Sequence, residues 1–466
     1  MLEIKFGTTL DFVLMPLYLA VIYFIGSAIK QRNITKSNDY KFFVKGLMAK
    51  CFGAVVFCLI YSKYYPGGDT TSYFDGAYRV MMLAFYDFGS FIDIIINAKE
   101  PKAILHSLAL YDLCCPDFVK DENSFSVTRF TAPLALIGAF SYYNTAIVLA
   151  AISFSGPWKL FRLFSSYYPE AQKQIAIAIL YVPSVLFWGS GILKDTYTFS
   201  AACWFTWSIY QIFIKRERLV KNLIILVISS WLIISIKPYI FVSLLPGTLI
   251  WISFKRISSI KNGLLKAIFA PTILLIGFLT ISIVMSSLSD KLGSFSDIDK
   301  AAKRAQETNE DLKRDIYGKN SFDLGKFDGS PASVARVFPL AILAGLFRPF
   351  VWEANNIVML FSALENAFLL FVFLKTLFLS RVFKFFSFIV SDPLLLFCFL
   401  FSIFFAGSVG IATSNFGALV RYKIPCIPFF LSSLYIIQYK LRKAEQFDGI
   451  YQENNDESNT KELVTT

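Results

Sequence analysis

Apolar runs of about 15 to 24 residues recur along this chain between polar turns, and each is long enough for a helix to cross a bilayer. A chain of 466 residues with 50 Phe and 56% hydrophobic content cannot hide so many runs inside one soluble core. Mean hydropathy of +0.56 agrees. The expected fold is all-α, a polytopic bundle of about eleven transmembrane helices with additional interfacial or re-entrant helices. It would occupy residues 1–440, followed by a disordered cytoplasmic tail over 441–466, which is polar and lacks an apolar pattern.

Basic clusters between the runs set the orientation. The first run, Phe12 to about Ile29, leads into Lys30, Arg32, Lys36, Lys41 and Lys45, which places that loop in the cytoplasm and the N-terminus outside. Later basic clusters at Lys159, Arg162 and Lys173, at Lys215, Arg216, Arg218 and Lys221, and at Lys440, Arg442 and Lys443 fall on the same side if a second run crosses at about Leu47–Tyr61 and further runs at Ala132–Ser153, Ile175–Ser190, Tyr197–Phe213, Asn222–Ile236, the run after Tyr239, Ala267–Ser286, Ile357–Leu379, Leu394–Ala412 and a last one before Lys440. The net charge of +12 then follows from cytoplasmic loops, and no nucleic-acid partner is expected. The first run is preceded by Glu3, Lys5 and Asp11, so no cleavable signal is apparent. Cys51, Cys58, Cys203, Cys398 and Cys426 lie in or beside apolar runs and read as small hydrophobes. The adjacent Cys114 and Cys115 suit neither a zinc site nor an ordinary disulfide framework.

Two larger segments fall outside the membrane. Residues 64–131 carry an acidic excess, with interfacial helices expected at Ala77–Ile96 and from Pro101, the second with His106 and Lys102 on its wet side. Residues 288–333 form a soluble segment; nine acidic and nine basic side chains lie between Asp290 and Arg336. A helix N-cap at Ser296 and a charged helix over Asp297–Tyr317 are expected there, as a solvated cover. Val334–Leu346 is too short to span and is read as a re-entrant helix that returns Arg348 and Glu353 to the outer surface. Glu365 and Asn366, inside a later run, are expected to bond to neighbouring helices.

Candidate site residues collect on the outer face. Gly67 and Gly68 permit a sharp exit from the second run that would hold Asp69 in place, with Tyr73 and Asp75 just beyond. His106 belongs to the same loop; Lys194 and Asp195 come from one turn, Lys237 and Tyr239 from another, Arg348 and Glu353 from the re-entrant segment, and Arg421 and Lys423 from the last turn. Five of these are cations on the side that the topology rule leaves poor in them. A lipid phosphate or diphosphate at the membrane surface would account for them, since Arg forks match phosphate oxygens. The alternative is interfacial snorkelling with local Asp partners, for which Lys194 beside Asp195 is a natural pair.

The layout resembles the GT-C superfamily of polytopic glycosyltransferases, which take a sugar from a polyprenyl phosphate or diphosphate. The residues that carry it are Asp69 in Gly67-Gly-Asp-Thr-Thr-Ser-Tyr73, the interfacial helices after it, and Arg421-Tyr-Lys-Ile-Pro-Cys-Ile-Pro428 before the last span. A leading span with an external N-terminus departs from that pattern. It is closer to the bacterial polysaccharide repeat-unit polymerases of the O-antigen and exopolysaccharide type, whose Gly-x-Asp-x-x-x-Tyr pattern and Gly-x-x-basic-polar turn compare with Gly67–Tyr73 and Gly191–Asp195. Both resemblances imply glycosyl transfer from a lipid-linked donor to a glycan or lipid acceptor, on the outside of a bacterial inner membrane, in cell-envelope glycan synthesis. Asp69 would be the general base, with Arg348, Arg421 and Lys237 on the departing phosphate. Asp75 would orient Asp69's partner or share a divalent ion with it, two carboxylates being too few to assign a metal cofactor. The competing class is a flippase of lipid-linked sugar, which needs the cations but no base.

Overall fold

The computed structural model describes residues 7–65, 67–97, 100–258, 298–313, 321–325 and 328–464. The expected span at Ala267–Ser286 and the cap at Ser296 lie outside the described residues. Among the described residues the regular structure is helical throughout, apart from one isolated bridge between Ser321 and Asn415. Six helices among the described residues are long and apolar enough to cross a membrane, or seven if the bent pair Phe416–Tyr422 and Ile427–Gln446 is one span. The chain is thus an all-α protein with membrane-compatible helices; the eleven spans expected are not all among these, since several apolar runs are broken and the one at Ala267–Ser286 lies outside the described residues.

The early helices follow the sequence closely. Helix α1 (Thr9–Asn33) starts at a capping box between Thr8 and Asp11, and helix α2 (Phe43–Leu59) continues through a π turn at Ile60–Tyr64. Two glycines with positive φ, Gly67 at 107° and Gly68 at 148°, turn the chain into α3 (Asp69–Tyr86). The expected single helix over Ala77–Ile96 is broken at Asp87, whose side chain caps the next helix, α4 (Phe88–Asn97), through Ser90 N at 2.9 Å. Helix α5 (Pro101–Ala109) buries Ile104 and Leu108 and leaves Lys102 and His106 exposed, as its pattern predicts. These helices pack with α6 (Glu122–Ile137) around Val80, Leu83, Ile94 and Phe125.

Two expected spans are redrawn. The run Ala132–Ser153 is interrupted after α6, where Ala139 and Phe140 take positive φ and Ser141 caps α7 (Tyr142–Ser153). The crossing-length helix is therefore Tyr142–Tyr167, made of α7 and α8 (Ser155–Tyr167). The run Ile175–Ser190 breaks into α9 (Gln172–Leu180) and α10 (Pro183–Trp188), because proline disfavours helix in the residue before it. Glu365 caps the second piece, accepting from Ser184 N at 2.7 Å and from Ser184 Oγ. That carboxylate bonds to a neighbouring helix, as expected.

Helix α11 (Lys194–Ile209) ends in a second π turn, Tyr210–Lys215, and is followed by α12 (Leu219–Ile236) and α13 (Pro238–Ser258). The soluble segment contains α14 (Ile298–Asp311), shorter than the expected Asp297–Tyr317. It is fastened to the bundle: Asn309 Nδ2 donates to Ile411 O at 2.9 Å, Phe322 N donates to Ser414 O at 2.7 Å, and Phe322 stacks on Phe416. Helix α15 (Pro331–Phe347) lies against the later helix Pro393–Ala412 so closely that a Cβ at Gly345 would stand 2.1 Å from Ala406 O. Helices α16 (Ile357–Ser380), α17 (Val382–Ser391), α18 (Pro393–Ala412), α19 (Phe416–Tyr422) and α20 (Ile427–Val464) complete the chain. The last runs on to Val464 through the tail whose composition predicts disorder; Ala, Gln, Glu and Lys are good helix formers, and a helix already nucleated by packing extends easily.

Polar networks form at both ends of the bundle, and their members sort by side. Asp39 accepts from Gln172 at 2.7 Å, Asp392 accepts from Tyr168 and Lys440, and Tyr439 donates to Glu170 at 2.9 Å. All of these come from turns that the charge pattern assigns to the cytoplasm. The turns assigned to the outside meet at the other end.

Candidate functional site

Four of those outer turns converge on one carboxylate. Asp195, in the first turn of α11, has no exposed surface, yet no apolar contact could make up for a bare charge there. Its Oδ2 accepts from Arg421 Nε at 2.9 Å and its Oδ1 from Lys237 Nζ. Lys237 closes α12 and Arg421 lies in α19, so three separate turns share this contact. The fourth brings Asp69, whose Oδ2 accepts from Arg421 Nη1 at 2.9 Å. Asp69 is the open member: its side chain is 47% exposed, against 13% for Arg421 and 0% for Asp195. The glycine exit thus does what its sequence predicts, presenting Asp69 at the N-terminus of α3.

Aromatic rings wall the cluster. Lys237 Nζ lies 4.6 Å from the Tyr422 ring centroid, and Tyr61, whose ring a Cβ on Gly68 would approach to 3.1 Å, feels the charges of Arg421, Asp69 and Asp195. Burial draws Lys237 down to about 8, with Asp195 pulling the other way. Lys194 does not pair with its neighbour Asp195; it reaches Asp121 at 3.5 Å. Burial pushes the Asp121 carboxyl up, but Lys194 and hydrogen bonds from Ser124 and Asn123 outweigh it and hold it below its ordinary range.

The remaining candidates have other tasks. Asp75 is held by Arg79, at 2.7 and 3.1 Å, and Arg79 also donates to Cys114 O, so Asp75 is engaged away from Asp69. Tyr73 is buried against Phe118, and Tyr239 is stacked on Phe405. His106 is exposed on α5, and no hydrogen bond or ion pair among the described residues ties it to the cluster. Arg348 grips Glu353 at 3.0 and 3.2 Å and lies over the rings of Phe322 and Phe416. Lys423, with no exposed surface, donates to Leu346 O, Arg348 O and Asn366 Oδ1 at 3.2, 3.0 and 2.6 Å. It fixes α19 to the end of α15, two residues from Arg421. The five cations expected to stand ready for an anion are thus all engaged within the protein.

Sequence reasoning missed two contributors. Asp121 was legible only as the cap of α6, which accepts from Asn123 N at 3.2 Å, and Tyr61 read as part of an apolar run. Cys114 and Cys115 are bonded to each other, while the other five cysteines are free and buried as expected.

What the arrangement offers chemically is a half-exposed carboxylate on a cation that a fully buried second carboxylate anchors from behind. Compared with known protein families, curated proteins and solved structures, the chain matches none.

Proposed function

We propose that the protein is an integral membrane glycosyltransferase that moves a sugar from a polyprenyl-phosphate or diphosphate donor to a glycan or lipid acceptor. The observation that carries this reading is the Asp69–Arg421–Asp195–Lys237 cluster. Buried ion networks at membrane depth are costly and stabilise a fold weakly, so residues of this kind from four separate turns point to use. Arg421 is anchored by the buried Asp195 through Nε and paired through Nη1 with the exposed Asp69. An incoming phosphate would compete with Asp69 for Nη1 and free its carboxylate beside the bound donor. Asp69 then takes the proton of the acceptor hydroxyl, the oxygen attacks the anomeric carbon, and the bond to the phosphate oxygen breaks with its electron pair. Arg421, with Lys194 and Lys237 behind it, neutralises the departing phosphate.

In this reading the crossings are eleven, with the N-terminus outside and the C-terminus in the cytoplasm of a bacterial inner membrane. The broken or short helices Gln172–Trp188, Lys194–Lys215 and Pro238–Ser258 and the run at Ala267–Ser286 supply those beyond the long helices. Single transfer and repeat-unit polymerisation share this chemistry. A flippase of lipid-linked sugar is the reading that needs the cations without the base.

Arg421 gives the test. Arg421→Lys keeps a charge but loses the fork that serves two carboxylates at once, and Arg421→Ala loses both. Binding of a lipid-linked donor, measured on detergent-purified protein, should weaken in Arg421→Lys and by about 2 to 3 kcal/mol in Arg421→Ala. Unchanged binding in both, with the fold intact, would reduce the cluster to a structural cross-link.

A further inference from the structure

We infer that the end of the bundle opposite Asp69 carries a second anion site, formed by Lys159, Arg162, Arg218 and Lys221, that takes a phosphate, either of an anionic lipid headgroup or free in solution. Helix α11 connects the two places. Asp195 stands in its first turn and Trp207 about 18 Å further along it, at 1.5 Å per residue.

Lys159 reaches across to α11, where its Nζ lies 5.4 Å from the Trp204 ring and 4.8 Å from the Trp207 ring. Trp204 is itself fixed, donating from Nε1 to Ser155 Oγ at 3.0 Å. Aromatic faces hold an ammonium in place without cancelling its charge. Arg162 stands one turn on from Lys159 along the same helix, and Lys221 and Arg218, of the same sign, are near enough to act on its charge. Like charges gathered in this way repel, and an anion between them turns the repulsion into binding.

Arg162, one turn beyond Lys159 on α8, is incompletely satisfied. Its guanidinium lies over the Tyr40 ring at 5.5 Å, and its buried Nε finds no hydrogen-bond partner among the described residues. The nearest carboxylate oxygen, Oδ2 of Asp39, is 3.7 Å away, beyond hydrogen-bond reach. Asp39 already accepts from Gln172 at 2.7 Å and from Ser37 at 2.9 Å. Glu217, the acidic residue in the turn beside Arg218, is exposed, and its backbone carbonyl accepts from Asn222 at 2.8 Å. Asp39, the carboxylate beside Arg162, thus has its own hydrogen bonds elsewhere. Basic pockets between helices at this level suit phosphate headgroups.

The test uses the full chain in neutral detergent, with thermal unfolding followed while phosphatidylglycerol, phosphatidylcholine or inorganic phosphate is added. A saturable rise in Tm with phosphatidylglycerol and none with phosphatidylcholine is expected, weakening as salt is raised. Apparent affinity should fall about fivefold for each cation removed, so about twenty-five-fold in Lys159→Gln with Arg162→Gln. If that double variant does not fold, Lys221→Gln at the exposed rim should still show the fivefold loss. A rise of the same kind with inorganic phosphate assigns the site to free phosphate, and a rise with the lipid alone assigns it to the headgroup. No rise with either, or equal rises in the native and variant proteins, overturns the site.

Discussion

Asp69→Asn is expected to lower turnover by about two to four orders of magnitude, the usual worth of a positioned acid or base, while donor binding is largely kept. The reasoning is local. Asn keeps the size of the side chain and still offers an oxygen to Arg421 Nη1, so the α3 N-terminus and the cluster behind it should stay assembled. What it cannot do is carry away a proton. Because the side chain is half-exposed, the change should cost little stability, which separates the loss of rate from a loss of fold. Single-turnover rates with a lipid-linked sugar and a mixed glycan acceptor, beside a donor titration, provide the measurement. An undiminished rate in Asp69→Asn would remove it as the base.

Asp195→Asn should have the largest effect on stability among the cluster residues, about 3 to 5 kcal/mol. It removes the counter-ion shared by Lys237, which is 4% exposed, and Arg421, and of the two only Arg421 keeps another carboxylate, Asp69. The size of the loss comes from the orphaned ammonium more than from the contact itself. Adding Lys237→Met takes that orphan away, so the double variant should be more stable than Asp195→Asn alone, by about 1 to 3 kcal/mol. Tm values of the native, single and double variants in detergent measure this. Losses that simply add would contradict the picture of one buried charge network.

The sequence grouped the site residues at one end of the bundle and lost much of their wiring. Asp69, Asp195, Lys237 and Arg421 were assigned to the outer face from basic loops elsewhere, and they meet within hydrogen-bond reach. Basic clusters are a good guide because they act over whole loops and tolerate errors in span boundaries. Boundaries fared worse. The turn at Ala139–Phe140 is built from apolar residues, so hydropathy ran through it, and it ran likewise through the apolar stretch that Pro183 breaks and whose second piece Glu365, from far along the chain, caps. Partners were misjudged for a similar reason. Residues one or two apart on a helix point to different faces, so Lys194 turns away from Asp195 toward Asp121, and Lys423, expected to face an anion beside Arg421, turns into the carbonyls that end α15.

The central claim is that the cluster breaks a glycosidic bond to a lipid phosphate. Purified native protein in sealed vesicles, given a lipid-linked sugar and glycan acceptors, should release free polyprenyl phosphate or diphosphate and form a lengthened acceptor, with Arg421→Ala and Asp69→Asn releasing little. Sugar lipid that crosses the bilayer intact, with no phosphate lipid released by the native protein, would contradict it.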